Sequence, residues 1–192
     1  TVEELRAEVL ERAESGGDVR LHMERFFDTV LEWKPTLIVE LGIRGGVSSF
    51  ALERGARLVG AKMICVDIND CSGVLDYAEF VQADDVVFAR RFRAFCRRRG
   101  IKPSVDMLMV DTSHTYIHTQ QEIRSWLPLM SPRCLMMFHD TNASQFGYGV
   151  AAYLREWLDI PFPEGLNFTA ESGGWWVEHH PECFGLTILR RV

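Results

Sequence analysis

The chain has 192 residues, 47% hydrophobic and 25% charged, enough for one globular domain with a sizeable core. Its net charge of −6 argues against a general affinity for nucleic acid, and no apolar run is long enough to span a bilayer. Five scattered cysteines with no CxxC argue against a disulfide framework or a structural zinc site, so a reducing, cytoplasmic compartment is expected.

Residues 1–15 carry helical periodicity, opened by a Thr1/Glu4 capping box and stopped at Gly16-Gly17, with Val2, Leu5, Val9 and Leu10 as the apolar stripe. A second helix is predicted over about 20–33, with Leu21, Phe26, Phe27, Val30 and Leu31 inward, and Pro35 ends it. These two helices are read as an N-terminal unit, 1–35, with a face available to pair with another subunit. The pattern then alternates. Strand runs fall at 36–42, 61–70, 79–87, 105–111 and 134–140, and helical runs at 48–59, 87–100, 116–130 and 149–160. Arg90, Arg91, Arg93, Arg97, Arg98 and Arg99 sit at helical spacing and read as a solvated face. Residues 161–183 look irregular and lid-like. The late runs NFTAESGGWWVEH (167–179) and FGLTILRR (184–191) suggest a hairpin or strand pair. Continuous apolar strands alternating with helices predict an α/β fold with a mostly parallel sheet covered on both faces.

Two strands end in polar, metal-capable tips. VDMLMVDTSHTY stops at Asp111 and His114, and CLMMFHDTN stops at His139 and Asp140. In an open α/β sheet, the carboxyl ends of the strands are where ligands bind. After the first strand comes ELGIRGGVSS, in which Gly42, Gly45 and Gly46 allow a tight turn and Ser48 and Ser49 open a helix. It is neither GxGxxG, since Arg44 stands at the second glycine position, nor a P-loop. Glu40 at that strand tip suits a cationic or hydroxyl-bearing ligand better than a phosphate. Asp67, ending the second strand, is placed to take ribose hydroxyls, and Asp84 to meet an adenine amino group.

In this order, ELGIRGGVSS, CVDI, FVQADD, VDMLMVDTSHTY, MMFHDT and FGLTILRR resemble class I S-adenosylmethionine-dependent methyltransferases. The likeness covers about residues 36–192. It is strongest to the metal-dependent O-methyltransferases and cephalosporin-hydroxylase-like proteins that modify sugars and natural products. The resemblance implies a Rossmann-like three-layer sandwich whose seven-strand, mostly parallel sheet has an antiparallel last strand. It implies that Glu40, Gly42 and Gly46 line the methionine and ribose region, with Asp67 on the ribose and Asp84 near the adenine. It puts a divalent metal on Asp111, His139 and Asp140, and a general base on His114. Such relatives usually carry a second carboxylate where His139 stands.

The chemistry is consistent with these residue types. A hydroxyl is protonated near neutrality, and a divalent cation lowers its pKa and fixes its position. Asp111 and Asp140 favour Mg2+ or Mn2+, and an added His139 leans the set toward Mn2+ or Fe2+. Neighbours in a strand point to opposite faces, so His139 and Asp140 can share an ion only if the backbone turns between them. Otherwise His139 is a core or supporting histidine. His114 suits proton removal near neutral pH, while its neighbour His118 reads as a surface or supporting residue. Gln145, Phe146 and Tyr148 are candidates for the acceptor pocket, as are Trp175, Trp176, His179 and His180. The resulting expectation is O-methylation of a small-molecule hydroxyl. Two rivals stand beside it: an iron-dependent oxygenase on the same scaffold, and a non-catalytic cofactor-binding module.

Overall fold

The computed structural model describes residues 1–192. Eight strands form one sheet in the order β3-β2-β1-β4-β5-β8-β7-β6. They are β1 (Leu37–Leu41), β2 (Lys62–Asp67), β3 (Glu79–Gln82), β4 (Val105–Val110), β5 (Met130–His139), β6 (Phe168–Ser172), β7 (Trp175–His180) and β8 (Leu186–Arg191). The first five pair in parallel. The last three are antiparallel to their neighbours, with β8 inserted between β5 and β7. The α/β Rossmann-like architecture is the expected one, but the sheet has eight strands where seven were expected. The run NFTAESGGWWVEH folds back on itself at Gly173 and Gly174, both at positive φ (57° and 80°). Two consecutive left-handed residues suit the tight turn that joins twisted antiparallel strands. Residues 168–180, expected as part of an irregular lid, are therefore a hairpin of the sheet with β6 at its edge.

Two layers of helix cover the sheet. On one face lie α1 (Val2–Glu14), α2 (Met23–Trp33) and α3 (Val47–Val59); on the other lie α4 (Asp85–Arg98), α5 (Tyr116–Trp126) and α6 (Val150–Leu158). Alternation along β1 sorts the faces: Leu37, Val39 and Leu41 pack with Phe92, Trp126 and Leu154, while Ile38 packs with Phe27 and Leu52. Phe26, Phe27 and Val30 of α2 are fully buried, each worth roughly 1.5–3 kcal/mol of apolar transfer. Leu21, expected inward, is exposed, because residues 20–22 form a separate 3-10 turn ahead of α2. In α1 only Val9 is buried, so Val2 and Leu10 leave an apolar strip on the surface. The third strand is shorter than its sequence run, because Asp84 caps α4 by accepting from Val87 N–H at 2.8 Å. All five cysteines are free, and no helix is long and apolar enough to cross a membrane.

Two buried histidines tie the acid stability of this fold to pH. His22 donates from Nε2 to the Glu182 carbonyl at 2.7 Å, and His179 lies against Phe162, Phe168 and the hydroxyls of Thr141 and Thr187. Burial pulls both imidazoles down to about 4. The folded pKa lies below the unfolded one, so this stability is fully present above about 6.5 and is lost as pH falls toward about 4. The ceiling is on the order of 3 kcal/mol per ring. We expect melting temperature to fall steadily from pH 6.5 to 4.5, and to fall less steeply in His22→Gln. Parallel wild-type and variant curves would refute this assignment.

Candidate active site

The strand order reverses between β1 and β4, and the cleft opens at their carboxyl ends, as the switch-point rule requires. Gly42 follows β1 and Asp111 follows β4, whose backbone N–H donates to the Leu41 carbonyl at 2.9 Å. A Cβ on Gly42 would lie 1.9 Å from the Asp111 carbonyl oxygen, and the residue has φ of 80°. Only glycine lets these two tips meet. A cleft of about 280 Å³ runs past Gly42, Arg44, Asp67, Asn69, Asp84 and Asp111. A second cavity of about 160 Å³ shares Gly42, Arg44 and Asp111 with it and reaches Gly45 and Ser48. A wider cleft of about 710 Å³ lies at the opposite edge, among Thr36, Lys62, Arg99 and Lys102, away from every strand tip that bears carboxylate and imidazole together.

Around Asp111 the structure gathers three other predicted residues. His114 Nε2 lies 3.0 Å from Asp111 Oδ1 and 2.8 Å from Asp140 Oδ2. His139 Nδ1 lies 3.6 Å from Asp111 Oδ1 and 3.2 Å from Asp140 Oδ2. The obstacle posed by adjacent His139 and Asp140 is removed by the backbone. β5 ends at His139, and Asp140 adopts a left-handed conformation with φ of 57°, which turns its carboxylate back toward the ring. His114 is also left-handed, with φ of 58°.

The His139 ring has a defined orientation. Its Nε2 lies 2.8 Å from the Cys183 carbonyl, which can only accept, so Nε2 carries the hydrogen. In the neutral ring Nδ1 then presents a lone pair to the carboxylates. That atom is buried and has no hydrogen-bond partner. Asp111, His139 and Asp140 each offer a donor atom within 4.8 Å of the others. A lone-pair nitrogen held by an outer carbonyl beside two carboxylates fits a divalent cation. Without such a charge, burial would lower both imidazoles, but Asp111 and Asp140 outweigh it and raise His139 to about 10 and His114 to about 9. Burial likewise pushes the two carboxyls up, and the rings more than offset it, holding both below the usual range.

The cofactor-side residues divide. Asp67 lines the cleft, but its Oδ2 accepts from the N–H groups of Ile43 (2.8 Å) and Arg44 (3.3 Å), and Oδ1 from Asn69 (2.9 Å). These bonds splint the glycine loop and hold its carboxyl below the usual range against burial. Asp84 is exposed on the cleft wall, with Oδ1 engaged in the α4 cap. Glu40 does not reach the cleft lining. It shares the Ile38 face of β1 and is fully buried, accepting from Ser48 and Ser49 at 2.6 Å each and from Cys65 at 3.3 Å. Burial raises its carboxyl to about 7 despite those donors. Ser48 lines the smaller cavity but spends its hydroxyl on Glu40. Gly46 caps α3 and faces Val74, behind the cleft. Neither Glu40 nor Gly46 lines either cavity.

The sequence reading missed Arg44, Asn69, Asp85, Thr112, Ser113 and His118 as cleft-lining residues, although all but His118 lie within two positions of a predicted one. Of the residues expected in an acceptor pocket, the Tyr148 ring lies 4.6 Å from that of His114, and Phe146 bridges Tyr148 and Phe184. Trp175 and Trp176 pair with Arg191 and Arg190, at the opposite end of β8 from Leu186, the partner of His139. They cannot close over this site. His179 is buried in the core, and His180 binds Glu178 at 2.7 Å.

Comparison with known proteins bears on the family and the fold. A curated relative, uncharacterized protein y4gI of Sinorhizobium fredii, is 27% identical over 78% of this chain. The chain spans about one fifth (20%) of that relative's length. Among solved structures, the SAH-bound methyltransferase PaMTH1 of Podospora anserina has a TM-score of 0.65 at 15% identity, covering 98% of this chain and 88% of that one. MycE methyltransferase from the mycinamycin biosynthetic pathway, in complex with Mg, SAH and mycinamycin VI, has a TM-score of 0.67 at 16% identity, covering 97% of this chain and 54% of its own. An O-methyltransferase from Bacillus cereus in complex with SAH has a TM-score of 0.62 at 11% identity, covering 98% and 91%. Residues 39–141, more than half of the chain, match the methyltransferase-domain family. The chain belongs to that methyltransferase-domain family.

Proposed function

We propose that this enzyme methylates a hydroxyl of a small molecule, of sugar or polyketide type, with the help of a divalent cation held by Asp111, His139 and Asp140. The carrying observation is His139 Nδ1, buried without a partner and aimed between two carboxylates while Nε2 is tied to Cys183. The mixed nitrogen and oxygen set suits Mn2+ or Fe2+ as well as Mg2+. MycE, a relative in fold, is in complex with Mg and SAH, which supports the same reading.

S-adenosylmethionine supplies an electrophilic methyl group, and a cation at the three side chains supplies positive charge that makes an acceptor hydroxyl more acidic. The remaining work falls to the protein. Gly42, Asp67, Asn69 and Asp84 hold the cofactor along the cleft. His114 takes the hydroxyl proton. Burial lowers its pKa and Asp111 and Asp140 raise it; a cation matching the charge of the two carboxylates would bring it back down, toward the range of a general base. The rings of Tyr148, Phe146 and Phe184 give the acceptor an apolar wall beside His114. That wall favours an acceptor with a carbon-rich face, as in a polyketide.

Calorimetry with S-adenosylhomocysteine, followed by methyl-transfer assays on hydroxylated acceptors with and without chelator, tests the proposal. Binding with chelator-sensitive transfer is expected; transfer at the full rate in chelator refutes the metal role. His114→Ala should keep cofactor affinity and lower kcat by about 10²- to 10⁴-fold. An unchanged kcat would exclude His114 as the base.

A further inference from the structure

The acidic end of the cofactor cleft carries a second set of ligating side chains that methyl transfer does not use. Asp85 is the first residue of α4. His118 and Glu122 stand four apart in α5 and so share one face of that helix. His118 Nε2 lies 3.0 Å from Asp85 Oδ1 and 3.6 Å from Glu122 Oε1. One donor atom from each of the three lies within 4.8 Å of the other two. In a four-coordinate site with bonds near 2.0 Å, adjacent donors are about 3.3 Å apart, and the observed separations bracket that spacing.

Charge points the same way. Glu122 is 1% exposed and Asp85 is 6% exposed. Neither forms an ion pair with lysine or arginine; His118 is the sole basic partner of both. Asp85 Oδ2 is sealed from solvent and meets no hydrogen-bond donor. A buried carboxylate oxygen left without a donor or cation is costly. Thr112 donates to Glu122 Oε1 at 2.5 Å and steadies that carboxylate from the β4 tip.

We propose that Asp85, His118 and Glu122 form a second divalent-cation site, of the zinc class, distinct from the Asp111–His139–Asp140 set. One imidazole and two carboxylates match a borderline transition cation. The ion staples the first turn of α4 to the first two turns of α5. Through Thr112 it also braces the strand tip that bears Asp111. Asp85 and His118 also line the cleft, so the ion would lie at its wall.

The test is metal content by mass spectrometry after loading chelator-stripped protein with Zn2+ and removing excess by gel filtration. Two ions are expected in the wild type, one in Asp111→Asn/Asp140→Asn, and one in Glu122→Gln. If Glu122→Gln does not fold, His118→Ala takes its place. Co2+ added to the Asp111→Asn/Asp140→Asn variant should give a visible absorption band that is lost when His118 is also replaced. No ion in Asp111→Asn/Asp140→Asn, or an unchanged ion count in Glu122→Gln, overturns the site. An ion count unchanged in Asp111→Asn/Asp140→Asn but lowered by Glu122→Gln would instead remove the Asp111 set, so the two assignments fail separately.

Discussion

Asp111→Asn lowers methyl transfer at saturating cofactor by about a thousandfold, equivalent to about 4 kcal/mol in the barrier. The substitution keeps the shape of the side chain and removes its charge. Asp111 touches both His114 and His139 and lines both cavities of the site. Its carboxylate is the one donor common to the proposed ion, the proposed base and the cleft wall. Losing the charge weakens ion binding, leaves Asp140 to balance two rings, and lets His114 lose its alignment. The measurement is kcat against ion concentration, paired with a thermal melt to show that the fold survives. A variant that turns over at the wild-type rate, with or without chelator, removes the cation from the mechanism.

Gly42→Ala destroys cofactor binding and costs about 3–5 kcal/mol of stability, a drop of roughly 10 °C in melting temperature for a chain of this size. Two effects add. The added methyl meets the Asp111 carbonyl oxygen at 1.9 Å and its carbon at 2.7 Å, so backbone must move. The φ of 80° also lies where an L side chain costs about 1–2 kcal/mol. The strain falls where the β1 and β4 tips touch, so the Asp67 splint and the Asp111 cluster are displaced together. Calorimetry with S-adenosylhomocysteine should show no binding. Gly45→Ala is the control: nothing lies within 4 Å of its added methyl and its φ is not positive. A Gly42→Ala melt within about 2 °C of wild type would mean the tips do not need this contact.

The sheet was legible where residues are apolar for four or five positions and then abruptly polar, as at Met107–Asp111 and Cys134–Asp140. The cluster of Asp111, His114, His139 and Asp140 followed from those tips alone, because parallel strands deliver their ends to one edge. Glu40 shows the limit. A strand tip announces that a carboxylate is near the edge, but its face depends on which helices cover that side, and α3 claims Glu40 through Ser48 and Ser49. The turn at Asp140 was equally hidden, since left-handed backbone at a non-glycine residue leaves no mark in composition. The spacing of His118 and Glu122 is visible in the sequence, but Asp85 joins them only when α4 packs beside α5. The extra strand had a readable signal in Gly173-Gly174, within a run of residues that suit strands.

The place of β8 has a consequence for biogenesis. It is synthesised after β6 and β7, yet it separates that hairpin from β5. While residues 183–191 are still inside the ribosome, β5 has a bare border, the hairpin has no neighbour to dock on, and His139 has no carbonyl to aim its ring. A nascent chain paused at that point presents two open pairing edges, and its active centre takes shape only with the last strand.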